Sequence, residues 1–218
     1  GAEVLSGNIS MMTLTVQDKK SLNVEEQVEI PGNKPDIYQV IWKSMNITNP
    51  QIKSEDGYLL INGNLSVFLV YTAEEEGMPV QYFTMEVPFE RRLDVNGSTA
   101  DMISGSVLSL DNYHITVIPD DQGQDRILEL CADFTVVIKL YGEEELKLVQ
   151  DAYSTDVMIE PVWKEFSLQH LLMRNCAKTR ISETIDMPKN QSVLQICYTE
   201  GSVSISLIRF DNSFCRTI

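Results

Sequence analysis

The chain has 218 residues, 43% of them hydrophobic and 22% charged, so it can bury the core of a globular protein. Its formal net charge of −15 argues against nucleic acid as a partner, because phosphate binding needs clustered Lys and Arg. No apolar run approaches the roughly 18 residues of a membrane span. The sequence begins with Gly1 and not with Met, so we expect that its natural start has been removed, and the lack of a signal-peptide pattern carries little weight for its location.

The four cysteines do not form a metal-binding pattern. None belongs to a C-x₂-C pair, and the two histidines lie far from ligand spacing, so we predict no metal site and no cofactor. Cys131 lies within an apolar stretch and is predicted to be a small core residue. A disulfide framework would be denser, so reduced thiols in a cytoplasmic protein are expected.

Apolar residues recur with a period of two, which is typical of β-strands. In 126–141 the even-numbered residues from Leu128 to Leu140 form one apolar face, which predicts a long strand buried on that face. A second long strand is predicted at 58–71, where Gly63 is a candidate bulge.

Turn residues separate these runs. Residues 74–77, 120–123 and 142–145 each combine Gly with acidic side chains, and each is predicted to connect two antiparallel strands. The last of them would separate 126–141 from a further strand at 146–154. Strands at this spacing predict an all-β fold, either an antiparallel β-sandwich or an open barrel.

One segment has a helical pattern. Asp36 is a suitable N-cap, and Ile37, Val40 and Ile41 would share one side of a helix. We therefore predict a short helix in 35–42, and one such helix in each copy of the repeat described below. The segment 166–174 is ambiguous between helix and strand.

The chain contains a weak internal repeat. Residues 24–31 resemble residues 181–188 at an offset of 157, which predicts a complete unit at 1–157 and an incomplete second copy at 158–218. Residues 162–218 carry a net charge of +2 and the rest −17. A 60-residue segment is marginal alone, so we expect the second copy to pack on the first unit or to pair with another chain.

Several segments resemble the SPOCS-domain family. They are Glu29-Ile30-Pro31, Pro35-Asp36-Ile37 followed by Val40, residues 60–71, Glu86-Val87-Pro88-Phe89 and residues 150–154. The family includes a clostridial spore coat morphogenetic protein, in which such units are followed by a LysM module. The resemblance implies a role in spore coat assembly through binding of the coat-forming ATPase, in the mother cell or at the spore surface. A LysM module beyond Ile218 would support it.

Catalytic patterns are not evident. His114 lies on a predicted strand without a nucleophile or orienting group, and Ser154 near Asp151 has no histidine nearby in sequence. The acidic runs at 74–76, 120–125 and 143–145 do not follow the EF-hand order. We therefore predict that the protein is not an enzyme and assign no catalytic, cofactor or metal residue; its partner-binding residues are not assigned.

Three functional classes remain open. The first is a non-enzymatic assembly module that binds proteins or self-associates through strand edges. The second is a carbohydrate or cell-wall binding sandwich, which aromatic residues aligned on one solvent face would favour. The third is an acid-pair hydrolase, which would require two carboxylates in a deep cleft.

Overall fold

The computed structural model describes residues 2–155 together with 158, 160, 162, 171–172, 180, 182–184 and 186. All regular structure in these residues is β-strand, which confirms the all-β prediction. The strands are β1 (Ala2–Glu29), β2 (Ile37–Glu55), β3 (Tyr58–Ala73), β4 (Val80–Asp94), β5 (Ile103–Ser104), β6 (Val107–Pro119) and β7 (Asp125–Ser154).

The strands form two antiparallel sheets. Sheet A has β7 at its centre, paired with β1 on one side and with β6 and the short β5 on the other. Sheet B has the order β2-β3-β4. The predicted turns at 74–77 and 120–123 are confirmed, since they connect β3 to β4 and β6 to β7. Gly77 and Gly123 adopt positive φ there, which other L-residues rarely tolerate.

The core lies between the inner faces of the two sheets. Every even-numbered residue of β7 from Leu128 to Leu140 is at most 1% exposed, which confirms the predicted buried face. On β3 the odd-numbered residues from Leu59 to Ala73 are buried in the same way, apart from Gly63. The rings of Phe89 on β4 and Phe134 on β7 stack with centroids 5.8 Å apart, so the two sheets share one apolar core.

Cationic side chains join the edges of the two sheets. Each lies at an inward-facing position of an edge strand and donates a hydrogen bond to a main-chain carbonyl of the opposite sheet. Inward-pointing charges of this kind protect sheet edges from further pairing. The bonds run from Lys20 to Asp94, from Lys43 to Ile115 and from Arg91 to Glu25, at 2.6, 2.7 and 3.0 Å.

The predicted helix in 35–42 is wrong, because β2 begins at Ile37. Register shifts between Ile37 and Gln39 and between Val40 and Trp42 each insert a residue into the strand. The first shift places Ile37 and Val40, three residues apart, against the same core. The spacing of three that suggests a helix therefore comes from a β-bulge.

Asp36 holds a guanidinium instead of capping a helix. Its Oδ1 lies 2.6 Å from Nη1 of Arg126, the second residue of β7. The same Nη1 donates to the carbonyl of Lys34 at 3.1 Å, and Nε lies 3.3 Å from the carboxylate of Glu29. The side chain of Arg126 is only 12% exposed. It therefore fixes the connection from β1 to β2 against the start of β7.

The predicted turn at 142–145 is also wrong, because β7 continues through it as one strand of 30 residues. At this point Thr15 is an extra residue in β1, between the pairs Leu14–Tyr141 and Val16–Leu140. Its Oγ1 accepts a hydrogen bond from the backbone N–H of Gly142 and would lie 2.8 Å from a Cβ there. Gly142 thus marks close approach to a bulge and not a chain reversal.

Gly63 likewise lies opposite a bulge. Its pairing with β4 is regular, whereas β2 carries one extra residue between Thr48 and Gln51. A Cβ on Gly63 would lie 3.4 Å from Pro50 Cα and from the Phe89 ring. The bulge is therefore in the partner strand and not in β3.

The chain divides into two compact units, residues 1–177 and 178–218. The incomplete second copy predicted at 158–218 lies almost wholly outside the described residues, as does most of the ambiguous segment 166–174. The tandem repeat and its boundary after residue 157 remain predictions.

Phe134→Ala tests the core. Phe134 is 1% exposed and stacks on Phe89 across the sheets, so its truncation should lower the free energy of unfolding by about 3–5 kcal/mol. Tyr153→Ala is the control on the same strand, since Tyr153 is 55% exposed and should change stability by less than about 0.5 kcal/mol. Urea denaturation measures both, and an unchanged midpoint for Phe134→Ala would contradict core placement.

Asp36→Ala tests the contact with Arg126. It removes a charge-assisted hydrogen bond to a nearly buried guanidinium and should destabilise the protein by about 1.5–3 kcal/mol. Glu29→Ala removes an exposed carboxylate from the same guanidinium and should cost less than about 1 kcal/mol. An equal decrease in melting temperature for the two variants would show that the Asp36 contact contributes no more to stability than the Glu29 contact does.

Candidate interaction surfaces

The outer face of sheet B carries a row of large apolar side chains. Trp42 on β2, Val70 on β3 and Tyr82 on β4 are paired across the three strands. Residues paired in antiparallel strands project from the same face. Since Leu69 and Tyr71 point into the core, the row that contains Val70 points away from it.

Phe68 completes this cluster. It also belongs to the outward-facing positions of β3, yet it is only 2% exposed. The ring of Trp42 meets it edge-on at 5.4 Å, and the ring of Tyr82 lies 6.3 Å away. Trp42 itself remains 43% exposed, and the Nζ of Lys34 lies 5.4 Å from the centre of the Tyr82 ring. We call Trp42, Phe68, Val70 and Tyr82 the aromatic row.

The aromatic row is bordered by apolar and polar residues on different sides. Tyr38 and Ile41 on β2, with Val80 on β4, are 54–62% exposed. Further along the sheet the outer face becomes polar, where the carboxylate of Glu86 accepts hydrogen bonds from Thr48 and Asn64 at 2.9 and 2.8 Å. The apolar character is therefore confined to the half of the sheet next to the β3–β4 turn. Confined exposed apolar patches mark interaction sites on protein surfaces.

The outer face of sheet A is acidic and polar. A surface cleft of about 500 Å³ lies between side chains of Glu25, Gln27, His114, Thr116 and Glu129. Cys131 also lines it, which makes the prediction of a core position for Cys131 wrong. As an odd-numbered residue of β7 it faces outward, where its Sγ accepts a hydrogen bond from Asn23 at 3.4 Å.

His114 lies opposite Cys131 in the strand register, and its Nε2 is 3.3 Å from the amide nitrogen of Asn112. Within the described part of the chain, no three His, Cys, Asp or Glu side chains are arranged to hold a metal ion. Asp151 and Ser154 lie at the far end of β7, about 20 residues from the His114 pairing. The structure thus does not bring these chemically reactive residues together.

The three acidic runs lie in different places. Residues 74–76 are in the β3–β4 turn and 143–145 are inside β7. In the β6–β7 turn, the carboxylate of Asp120 accepts hydrogen bonds from the backbone N–H groups of Gln122 and Gln124 at 2.8 and 2.9 Å. Asp120 therefore stabilises its own turn.

Sequence analysis missed the aromatic row. Phe68 and Val70 could have indicated an apolar outer surface, because they are apolar residues on the polar face of an alternating strand. Trp42 was not predictable as their neighbour, since two bulges in β2 set its register. Short-range patterns do not fix the position of a bulge.

No helix in the described residues is long and apolar enough to cross a membrane. No curated protein and no solved structure matches the chain. A family model described as SipL, SPOCS domain, matches residues 36–118. This range begins one residue before β2 and ends one residue before the end of β6, so it contains all of sheet B and the aromatic row. The resemblance to the SPOCS-domain family inferred from sequence motifs is thus confirmed over residues 36–118.

Proposed function

We propose that the protein is a non-enzymatic protein-interaction module that acts in spore coat assembly. The observation that carries this proposal is the SPOCS-domain match over residues 36–118, which indicates a sporulation-related domain. The aromatic row lies within the matched residues, which associates an exposed apolar surface with the family-specific part of the chain.

The aromatic row has the properties of a binding hot spot. Trp and Tyr are enriched at such sites, because each buries a large area at a small cost in side-chain entropy. Trp42 is the exposed member and rests on the buried ring of Phe68. A partner that covers Trp42 would thus meet a side chain whose position is already restrained, which lowers the entropic cost of binding.

The partner we propose is the coat-forming ATPase, which the family resemblance implies, with the mother cell or the spore surface as the location. The net charge of −15 favours a partner with a complementary basic surface. A non-enzymatic role is supported by the separation of His114, Asp151 and Ser154 in the fold.

Binding of a cell-wall polysaccharide is the second candidate. One observation favours it: Trp42 and Tyr82 lie on the same solvent face of sheet B. Against it, Trp42 packs edge-on against Phe68, with an interplanar angle of 63°, and does not form a flat stacked platform with that ring. Both candidate functions use the aromatic row as the binding surface, so an experiment distinguishes them by the ligand that binds there.

Trp42→Ala tests the proposal. Loss of a hot-spot Trp should weaken binding of the purified coat ATPase by about 30-fold or more, measured by biolayer interferometry at physiological salt. Tyr153→Ala is the matched control, because Tyr153 is an exposed aromatic residue outside residues 36–118. The affinity of Tyr153→Ala for the ATPase should equal that of the wild-type protein.

Thermal melting of Trp42→Ala should accompany the binding measurement, since this side chain also covers Phe68. Equal affinity of the folded variant and the wild type would contradict a role for the aromatic row. The polysaccharide candidate would be favoured by a different result. In that case the wild-type protein does not bind the ATPase but sediments with insoluble peptidoglycan, and Trp42→Ala abolishes this sedimentation.

A further inference from the structure

The strand β4 lies at an edge of sheet B, and the register identifies which of its backbone groups face that edge. Among the described strands, β4 pairs with β3 alone and without a register shift. The N–H of Ala73 donates to the carbonyl of Pro79 at 3.0 Å, so the adjacent pair Thr72–Val80 is a non-hydrogen-bonded pair. Such pairs alternate with hydrogen-bonded ones along an antiparallel ladder. The even-numbered residues of β4 therefore direct their N–H and C=O groups away from β3.

The second half of this edge is protected. The carbonyl of Asp94 faces away from β3 and accepts a hydrogen bond from Nζ of Lys20 at 2.6 Å. Pro88 is also even-numbered, and it has no N–H to donate to a further strand. Arg91 donates to the carbonyl of Glu25 and so holds β1 beside this half of β4. An additional strand is therefore disfavoured between Pro88 and Asp94.

The first half of β4 carries no such protection. Within the described residues, the backbone N–H groups of Thr84 and Glu86 face the edge and donate to no other group. The side chains of both residues are exposed, and Val80 at the start of the strand is 62% exposed. No Pro, Lys or Arg occupies residues 80–86. This half of the edge can thus form main-chain hydrogen bonds with an extended segment.

A strand added at this position would adjoin the aromatic row. The even-numbered side chains of β4 lie on the outer face of sheet B, where Tyr82 belongs to the row. Neighbouring strands are about 4.8 Å apart, and every second side chain of a strand points to the same face. An added strand would therefore place side chains beside Val80, Tyr82 and Thr84. An apolar side chain opposite Tyr82 would extend the aromatic row by one strand.

The charge of the β3–β4 hairpin restricts the chemistry of the added segment. Residues 74–90 contain five exposed glutamates and no Lys or Arg. The glutamates are Glu74, Glu75, Glu76, Glu86 and Glu90. Opposite charges on paired strands stabilise a sheet, whereas like charges destabilise it. A second copy of β4 would bring the same five glutamates, so a basic segment of another protein is favoured over self-association.

We propose that the partner contributes an extended segment with apolar and basic side chains, which pairs with residues 80–86 of β4 as a fourth strand of sheet B. This inference rests on the proposed function, since it specifies how the partner contacts the protein next to the aromatic row. In this mode of recognition the main-chain hydrogen bonds contribute affinity, and the alternate side chains contribute specificity.

Thr84→Pro tests the strand pairing. It removes an N–H that faces the edge, and the hydrogen bonds between β3 and β4 do not use this group. Binding of the purified coat ATPase to the full-length protein should weaken by about tenfold or more in biolayer interferometry, because proline also obstructs an incoming strand. Thr84→Val is the matched control, since it retains the N–H and a similar volume. The affinity of Thr84→Val should equal that of the wild-type protein.

The outcomes separate this inference from the proposed function. Equal affinity of folded Thr84→Pro and the wild-type protein would overturn the strand pairing. If Trp42→Ala weakens binding in the same experiment, the proposed function stands and only the pairing fails. Wild-type protein that does not bind the ATPase would overturn both.

Hydrogen exchange in the wild-type protein provides a second measurement of the pairing without a substitution. Saturating ATPase should slow exchange of the N–H groups of Thr84 and Glu86 by about tenfold or more, because they become hydrogen-bonded. The N–H groups of Phe83 and Met85 already face β3 and should change by less than about threefold. Unchanged exchange at Thr84 and Glu86 in the complex would contradict the pairing.

Glu76→Lys tests the charge of the segment. Reversal of this charge in the β3–β4 turn should weaken binding of the ATPase by about threefold or more at physiological salt. Glu144→Lys changes the net charge by the same amount on β7, opposite Met11 of β1, and should leave the affinity unchanged. Equal decreases for the two variants would show that the partner responds to overall charge and would contradict a basic segment at this hairpin.

Discussion

The fold depends on the alternation of the β7 side chains between the buried inner face and the outer face of sheet A. Seven even-numbered side chains from Leu128 to Leu140 are at most 1% exposed, and β1 and β6 pair with this strand on either side. A shift of one residue would move all seven to solvent. Because each of these side chains contributes about 0.8 kcal/mol per buried methylene, the register of sheet A is strongly fixed.

Closure of the two sheets depends on polar contacts at their edges. Lys20, Lys43 and Arg91 bind carbonyl groups of the facing sheet, while Arg126 holds Asp36 at one end. These cations lie at positions where alternation alone would place apolar residues. Their aliphatic stems can follow the core while their charged groups reach the opposite edge. The edges are thereby joined within one molecule and are not open for indiscriminate pairing.

Among the described residues, the exposed apolar side chains are not confined to one surface. The aromatic row lies on sheet B, inside the SPOCS-domain match, and contains a Trp side chain held by a buried Phe ring. The segment of sheet A formed by residues 2–14 and 141–154 lies outside that match and exposes aliphatic side chains, among them Leu5, Ile9 and Val149. Aromatic side chains are typical of binding hot spots.

The sequence by itself determined the all-β class, the strands around 58–71 and 126–141, the buried face of β7 and two of the three turns. All of these follow from alternation and turn chemistry, which act between neighbouring residues. The SPOCS-domain resemblance also came from sequence motifs, and the aromatic row could be suspected only from Phe68 and Val70. The tertiary structure decided that 35–42 is a bulged strand, that Gly142 lies within β7 and that Cys131 faces solvent. It also brought Trp42 onto Phe68 and Arg126 onto Asp36. These features depend on bulges and on contacts between side chains that are 26 and 90 residues apart in the sequence. Such contacts form, and contribute to stability, only when distant strands come together.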